Sequence, residues 1–310
     1  MELVQPPPPQ SWFAIWFAQI RAHRLTAIGF GCALLVVLGL FIASIVQVIG
    51  GEARTAVRLA LLGGLAGFIA TALGALPGVL LRAIPTRVED SMLGLAAGMM
   101  LAASSFSLIL PGLEAGESLT GSAALGGGLV VLGMVLGVLL MLGLDEFTPH
   151  EHEKTGPCGP GCERLNRVWL FVLAIALHNL PEGMAIGVSF SRGDMTVGLP
   201  LTAAIALQDI PEGLAVALAL RSAGLAPLHA VLIAGASGLL EPLGALLGVG
   251  LTSGLAAAYP IGLGLAAGAM IFVVSHEVIP ETHRNGHQTP ATLGLMAGFG
   301  LMMILDTTLG

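Results

Sequence analysis

The chain has 310 residues, 55% of them hydrophobic and only 10% charged, with 44 glycines and a mean hydropathy of +0.91. That composition excludes a soluble globular domain and describes a polytopic helical membrane protein. The formal charge of -7 comes from acids of which several lie inside apolar runs, so it marks no basic face and excludes nucleic acid as a partner.

In chain order, Pro6 to Pro9 give a polyproline-like lead within an amino-terminal segment, 1–25. An apolar run over 26–49 follows Arg21 and Arg24. It is well beyond the ~7 to 15 residues of a signal-peptide core, and predicts an extra transmembrane helix that is retained. Further apolar runs lie near 55–81, 90–113, 122–144, 167–191, 198–221, 227–252, 258–281 and 290–309. Each is long enough for a helix to cross about 30 Å of hydrocarbon. With nine crossings and the amino terminus inside, the cytoplasmic side takes Arg21, Arg24, Arg82, Arg87, Lys154, Arg164, Arg167, Arg221 and Arg284, leaving only Arg54, Arg58 and Arg192 outside. Nine of the 12 basic residues then obey the positive-inside bias, and the 145–166 connection is cytoplasmic. On that reducing side Cys158 and Cys162, with Cys32 elsewhere, make no disulfide scaffold.

The chemistry is concentrated in a polar motif written twice within apolar helices. His178, Asn179, Leu180, Pro181, Glu182 and Gly183 are matched thirty positions on by Gln208, Asp209, Ile210, Pro211, Glu212 and Gly213. Ionisable side chains at membrane depth are expensive, so two matched sets read as a site. A short turn around 191–198 makes the two helices antiparallel neighbours with both motifs near the bilayer midplane. Positions i, i+1 and i+4 group His178, Asn179 and Glu182 on one helix and Gln208, Asp209 and Glu212 on the other. Pro181 and Pro211 remove a donor and kink each helix beside its carboxylate, an irregularity tolerated where backbone lines a polar cavity.

Two later spans repeat the pairing of acid with proline: Glu241-Pro242 halfway along one helix, and His276-Glu277 followed by Pro280-Glu281 on the next. Left ionised without counter-ions, such a group of carboxylates would be prohibitive to bury, so they bind cations, carry protons, or both. One imidazole, many oxygens and no thiolate suit zinc and its neighbours, and four carboxylates suffice for two divalent ions sharing bridging glutamates.

At these residues the chain resembles the ZIP (Zrt-, Irt-like protein) family of metal transporters, whose signature is His-Asn-Leu-Pro-Glu-Gly followed by a second Pro-Glu-Gly helix. The resemblance covers 55–309, is close to bacterial members, and leaves the first helix as an addition. It implies an all-α membrane bundle of eight helices, inverted three-helix repeats about the two motif helices, and a homodimer. It implies uptake of zinc, with cadmium and also iron or manganese, into the cytoplasm across a bacterial inner membrane. The metal would be cargo, so no cofactor is expected. Carried over, one ion would be held by His178, Glu182, Gln208 and Glu212, with Asn179, Asp209 and Glu241 joining the shared glutamates around a second. Many eukaryotic relatives have His where this chain has Gln208, a change that bears on metal selectivity.

Other readings of these residues stand beside this one. The doubled motif can be a hydrogen-bond network between helices, and Asn179 and Gln208 interhelical polar contacts. Met100, next to Met99, offers a thioether to a metal or simply packs the core. Asp90, His276, Glu277, His283 and His287 form either an exit relay at the inner face or a solvated helix end, and Asp306 and Glu114 lie near the outer face. The 145–166 loop, with Asp145, Glu146, His150, Glu151, His152, Glu153, Cys158 and Cys162, either captures metal or is a plain linker. An intramembrane metalloprotease is the alternative from another class, but its His-Glu-x-x-His is missing: His276-Glu277 lacks the second histidine. A proton-linked metal exporter would use the same acids in reverse. The expectation is a transporter and no enzyme.

Overall fold

Small residues govern how this chain packs. The computed structural model describes residues 12–50, 54–148, 150–152, 156–158, 167–252 and 254–309, with side chains over 14–42, 54–148, 178–252 and 254–309. Pro6 to Pro9 and the loop residues Glu153, Lys154, Cys162 and Arg164 lie outside the described residues.

A short helix α1 (Trp12–Ala22) leads into α2 (Arg24–Gly50), and α3 (Arg54–Ala75) closes in a 3-10 turn over Leu76–Val79. Helix α4 (Thr86–Ala103) passes through a π-helical turn, Ser104–Ile109, into α5 (Leu110–Thr120). That long element stops at Gly121, whose φ of 69° suits glycine at the position after a helix. Helix α6 (Ala123–Phe147) follows, then β1 (His150–His152) and β2 (Gly156–Cys158), paired antiparallel with His150 opposite Cys158. The remaining elements are α7 (Arg167–Ser189), α8 (Met195–Ser222), α9 (Pro227–Ser237), α10 (Leu240–Thr252), α11 (Ala258–Val273), a second π turn at Val274–Val278, α12 (Ile279–Thr282) and α13 (Gln288–Leu309). Eight segments of the described residues are long and apolar enough to cross a membrane: α2, α3, α4–α5, α6, α8, α9–α10, α11–α12 and α13. At 23 residues, α7 is long enough to do the same.

Three boundaries differ from the sequence reading. Helix α6 continues through Asp145, Glu146 and Phe147, so the connection begins later than 145. The amino-terminal segment contains α1, whose Gln19 Nε2 donates to Glu146 Oε1 at 2.5 Å and whose Trp16 packs on Phe147 with ring centroids 6.1 Å apart. The apolar run at 227–252 is not one helix, because α9 ends at Ser237 and α10 starts at Leu240. The break falls at Gly238, where a Cβ would come within 3.0 Å of the Thr71 Cβ and 3.1 Å of the Phe68 Cα on α3. Glu241 therefore lies in the first turn of α10 rather than halfway along a helix, and Pro242 costs that turn nothing because its N–H would have no intrahelical partner.

The closest pairings are α4 with α13, α6 with α11, α7 with α10, and α3 with α8. Exchanging α3 for α9–α10, α4–α5 for α11–α12, α6 for α13 and α7 for α8 maps this set onto itself. Each exchanged element of the three-helix units lies five crossings on, hence runs the opposite way, so the repeats are inverted. The two π turns fall at matching places, each followed two residues later by a proline, Pro111 and Pro280. The seams are made alike as well. Gly94 and Gly98 meet Gly294 and Gly298 with each side facing the other's backbone, as Gly133 and Gly137 meet Gly264 and Gly268. Two blocks result: α3 with α7 to α10, and α4 to α6 with α11 to α13. Helix α2 touches both, through α6 and α10.

Candidate metal centre

The α7–α10 seam sets the position of the site. A Cβ on Gly183 would fall on the carbonyl of Glu241, and one on Gly244 would lie 2.5 Å from the carbonyl of Leu180, so the backbones of α7 and α10 touch where the first motif ends. Helix α8 returns beside α7 through a turn in which Asp194 Oδ1 accepts from Thr196 N at 2.8 Å and caps the helix. Both α7 and α8 continue through their internal prolines, Pro181 and Pro211. Arg221, in the last turn of α8, donates to the carbonyls of Gly78 at 2.8 Å and of Leu81, tying α8 to the end of α3.

On this frame Glu182, Asp209 and Glu212 each present a carboxylate oxygen within 4.8 Å of the other two. Among the described residues this is the one group of three or more His, Cys, Asp or Glu side chains that closes so tightly. These are the residues that the resemblance assigns to the second ion, for which Asp209 joins the two shared glutamates. Gln208 Nε2 donates to Glu182 Oε1 at 2.5 Å, and its own Oε1 is buried beside that bond. Glu241 reaches the same volume from α10: a Cβ placed on Gly67 of α3 would collide with Glu241 Oε2 and lie 3.1 Å from Asp209 Oδ2.

Glu182, Gln208, Asp209 and Glu241 are all at most 2% exposed. Yet Glu182 Oε2, Gln208 Oε1, Asp209 Oδ2 and Glu241 Oε2 have no hydrogen-bond partner among the described residues. Leaving one such acceptor unsatisfied costs about 1–3 kcal/mol, and more when it is charged. Four unpaired acceptors gathered this closely are a setting for a cation, for protons, or for both. No thiol or hydroxyl nucleophile is needed to explain the arrangement.

The other expected residues fall around this volume in separate pairs. His178 is outside the carboxylate trio, with Nε2 3.2 Å from Glu277 Oε2 on the second π turn, so it links α7 to the facing block. Asn179 is buried beside it at 2% exposure. His276 is exposed, stacks on Phe272 with ring centroids 5.0 Å apart, and lies 3.7 Å from Asp145 Oδ2 at the end of α6. Asp90, almost fully buried, accepts from Asn285 Nδ2 at 3.0 Å and meets His287 Nδ1 at 2.8 Å. Asn285 was not singled out from the sequence, where it reads as an ordinary polar residue of the 283–287 turn. His283 is engaged locally, its Nδ1 2.9 Å from the carbonyl of Ile279. Met100 and Met99 are buried in the main apolar core with Met141, Met270 and Met302. Far from these, Asp306 Oδ1 accepts from Ser107 Oγ at 2.7 Å, while Glu114 is exposed. The side chains of His150, Glu151, His152 and Cys158 lie outside the described ones.

A bundle of membrane-crossing helices folded about a buried cluster of carboxylates defines a multi-pass membrane protein with a candidate cation site. The family model described as ZIP zinc transporter matches residues 145–306, and the chain belongs to that family. It is 66% identical over 295 residues to Zinc transporter ZIPB of Bordetella bronchiseptica, covering 95% of this chain and 96% of that one. It is 44% identical over 244 residues to Zinc transporter GufA of Myxococcus xanthus, covering 78% and 95%. Against Zinc transporter ZIP11 of Homo sapiens the identity is 29% over 340 residues, covering 84% and 99%.

Proposed function

We propose that this protein carries zinc, with cadmium and other divalent transition metals as further cargo, into the cytoplasm through the volume between α7, α8 and α10. The observation that carries this reading is the set of four buried acceptors, Glu182 Oε2, Gln208 Oε1, Asp209 Oδ2 and Glu241 Oε2, that have no hydrogen-bond partner among the described residues. The names of the relatives favour zinc among the metals such oxygens accept. Glu182 and Glu212 are shared between two ions, one reaching toward His178 and the other toward Asp209 and Glu241. Glu277, then His276 with Asp145, and Asp90 with His287 form stepping points toward the end of the bundle where α6 meets its connection to α7. The reading places that end in the cytoplasm, following the distribution of arginines. A set of ligands that saturates the ion suits binding and release, whereas hydrolysis needs an open coordination position.

Alternation is assigned to the block of α3 and α7 to α10, which holds the cluster, moving against the block of α4 to α6 and α11 to α13. The His178–Glu277 contact crosses that boundary and must break in the other state. The decisive experiment is zinc and cadmium uptake into proteoliposomes by the wild type, His178→Ala and Glu212→Ala at matched amounts of folded protein. Loss of uptake in both variants supports the reading; unchanged uptake makes the cluster a structural network. Efflux from preloaded vesicles without uptake would reverse the direction. Deleting the residues between α6 and α7 tests metal capture by that loop: unchanged uptake and unchanged sensitivity to internal metal would remove that role.

A further inference from the structure

Helix α3 contributes no carboxylate, imidazole or amide to the cluster, yet one face of it shapes the Glu241 side of the site. Gly64, Gly67 and Thr71 fall on a single stripe. At Gly64 a Cβ would lie 2.6 Å from the Cα of Pro242 and 3.0 Å from the carbonyl of Glu241, so the start of α10 rests directly on the α3 backbone. One turn on, the space a side chain would fill at Gly67 is taken by the Glu241 carboxylate itself. One turn further, Thr71, 4% exposed, donates its hydroxyl to Glu241 Oε1 at 2.9 Å and is 3.2 Å from the carbonyl of Gly67. The hydroxyl has one proton, and the carboxylate is the shorter and stronger of its two acceptors.

The consequence is that Glu241 lays both oxygens along α3, Oε1 on the Thr71 hydroxyl and Oε2 over Gly67, the same spot that Asp209 Oδ2 approaches. We propose that Thr71 is a positioning residue for the second divalent cation, with Gly67 as the vacancy that admits the carboxylate it holds. This rests on the two-ion reading above. Asp209 is an acidic neighbour of Glu241, so the Thr71 hydroxyl is the neutral donor on α3 that holds this carboxylate in its orientation whether or not an ion is present. A ligand held in its bound orientation beforehand gives up less freedom when the ion arrives, which is how a side chain that never touches the metal sets its affinity.

The test is calorimetric titration of the purified full chain with cadmium, read as two affinities, together with apo melting temperature and the KM and maximal rate of uptake. Thr71→Val keeps the shape and removes the hydroxyl; it should weaken the second ion about tenfold, leave the first ion within error, and lower the apo melting temperature because buried Glu241 Oε1 loses its donor. Thr71→Ser should restore the second affinity, and Gly67→Ala, which pushes the carboxylate aside, should lose it as Thr71→Val does. The uptake KM should rise in the two damaging variants. Wild-type affinities in Thr71→Val, a Thr71→Ser protein as impaired as Thr71→Val, or equal weakening of both ions would each overturn the assignment. If Thr71→Val is silent while His178→Ala and Glu212→Ala abolish uptake, the positioning role fails and transport through the cluster stands. A wild type that binds a single ion overturns both the role and the two-ion reading.

Discussion

Replacing Glu182 with glutamine separates a metal site from a structural network, because the two make opposite predictions for the protein without metal. Glu182 Oε1 accepts the Gln208 amide, Oε2 has no partner, and two further carboxylates lie within 4.8 Å. At that separation and an effective dielectric of about 20, each ionised pair repels by about 3.5 kcal/mol, about 10 kcal/mol for the three pairs of the trio. Glu182→Gln removes two of those pairs while keeping size and an acceptor for Gln208. Its apo melting temperature should therefore equal or exceed that of the wild type. Zinc at about a hundred times the wild-type Kd stabilises the wild type by about 2.7 kcal/mol; a variant binding about a hundredfold more weakly gains only about 0.4 kcal/mol. Thermal unfolding in detergent, with and without zinc, reads both quantities. A Glu182→Gln protein that melts lower without metal and keeps the full zinc-induced rise would refute the reasoning.

Protons and metal compete for the same oxygens, so zinc binding should release protons and weaken as pH falls; titration in buffers of different ionisation enthalpy measures the release, and none would contradict the site. At the α7–α10 seam, Gly244→Val overpacks a position where even a Cβ lies 2.5 Å from the Leu180 carbonyl, with an expected loss of about 1–3 kcal/mol in melting experiments. Gly128→Ala on α6, where a Cβ meets nothing within 4 Å, is the control and should be neutral or stabilising by up to about 1 kcal/mol. Arg192 lies 4.0 Å over the ring of Tyr259, joining the α7–α8 turn to α11 across the block boundary. Cysteines at those two positions in a cysteine-free background, bridged by a bifunctional reagent, should stop uptake; transport at full rate would rule out movement of one block against the other.

The spans were legible in the sequence because hydrocarbon imposes length and apolarity on any segment that crosses it, and the doubled motif because carboxylates at that depth have few other uses. What escaped the sequence is what depends on two helices at once. The break before Glu241 is set by the approach of Phe68 and Thr71 to Gly238, and a glycine in a glycine-rich chain carries no mark of that contact. Thr71 looks like any small residue of a membrane helix until Glu241 is placed against it. Helix α1 is short, and its anchoring to Glu146 and Phe147 pairs residues far apart in the chain.

Helix α2 carries none of the ligands, but Phe30 rests against Gly143 of α6 while Phe41 rests against Gly250 of α10. One rod is thus seated on both blocks, and under the proposed alternation any travel between them must tilt or slide it. Only 6% of its apolar window is buried, so nearly all the surface that resists such a tilt faces acyl chains. The work of tilting is set by how well its length matches the surrounding hydrocarbon, at fractions of a kcal/mol per Å. In the proposed cycle, membrane thickness would thereby act through a helix that carries none of the candidate ligands, and lipids of longer or shorter chain should retune turnover without altering a single candidate coordinating atom.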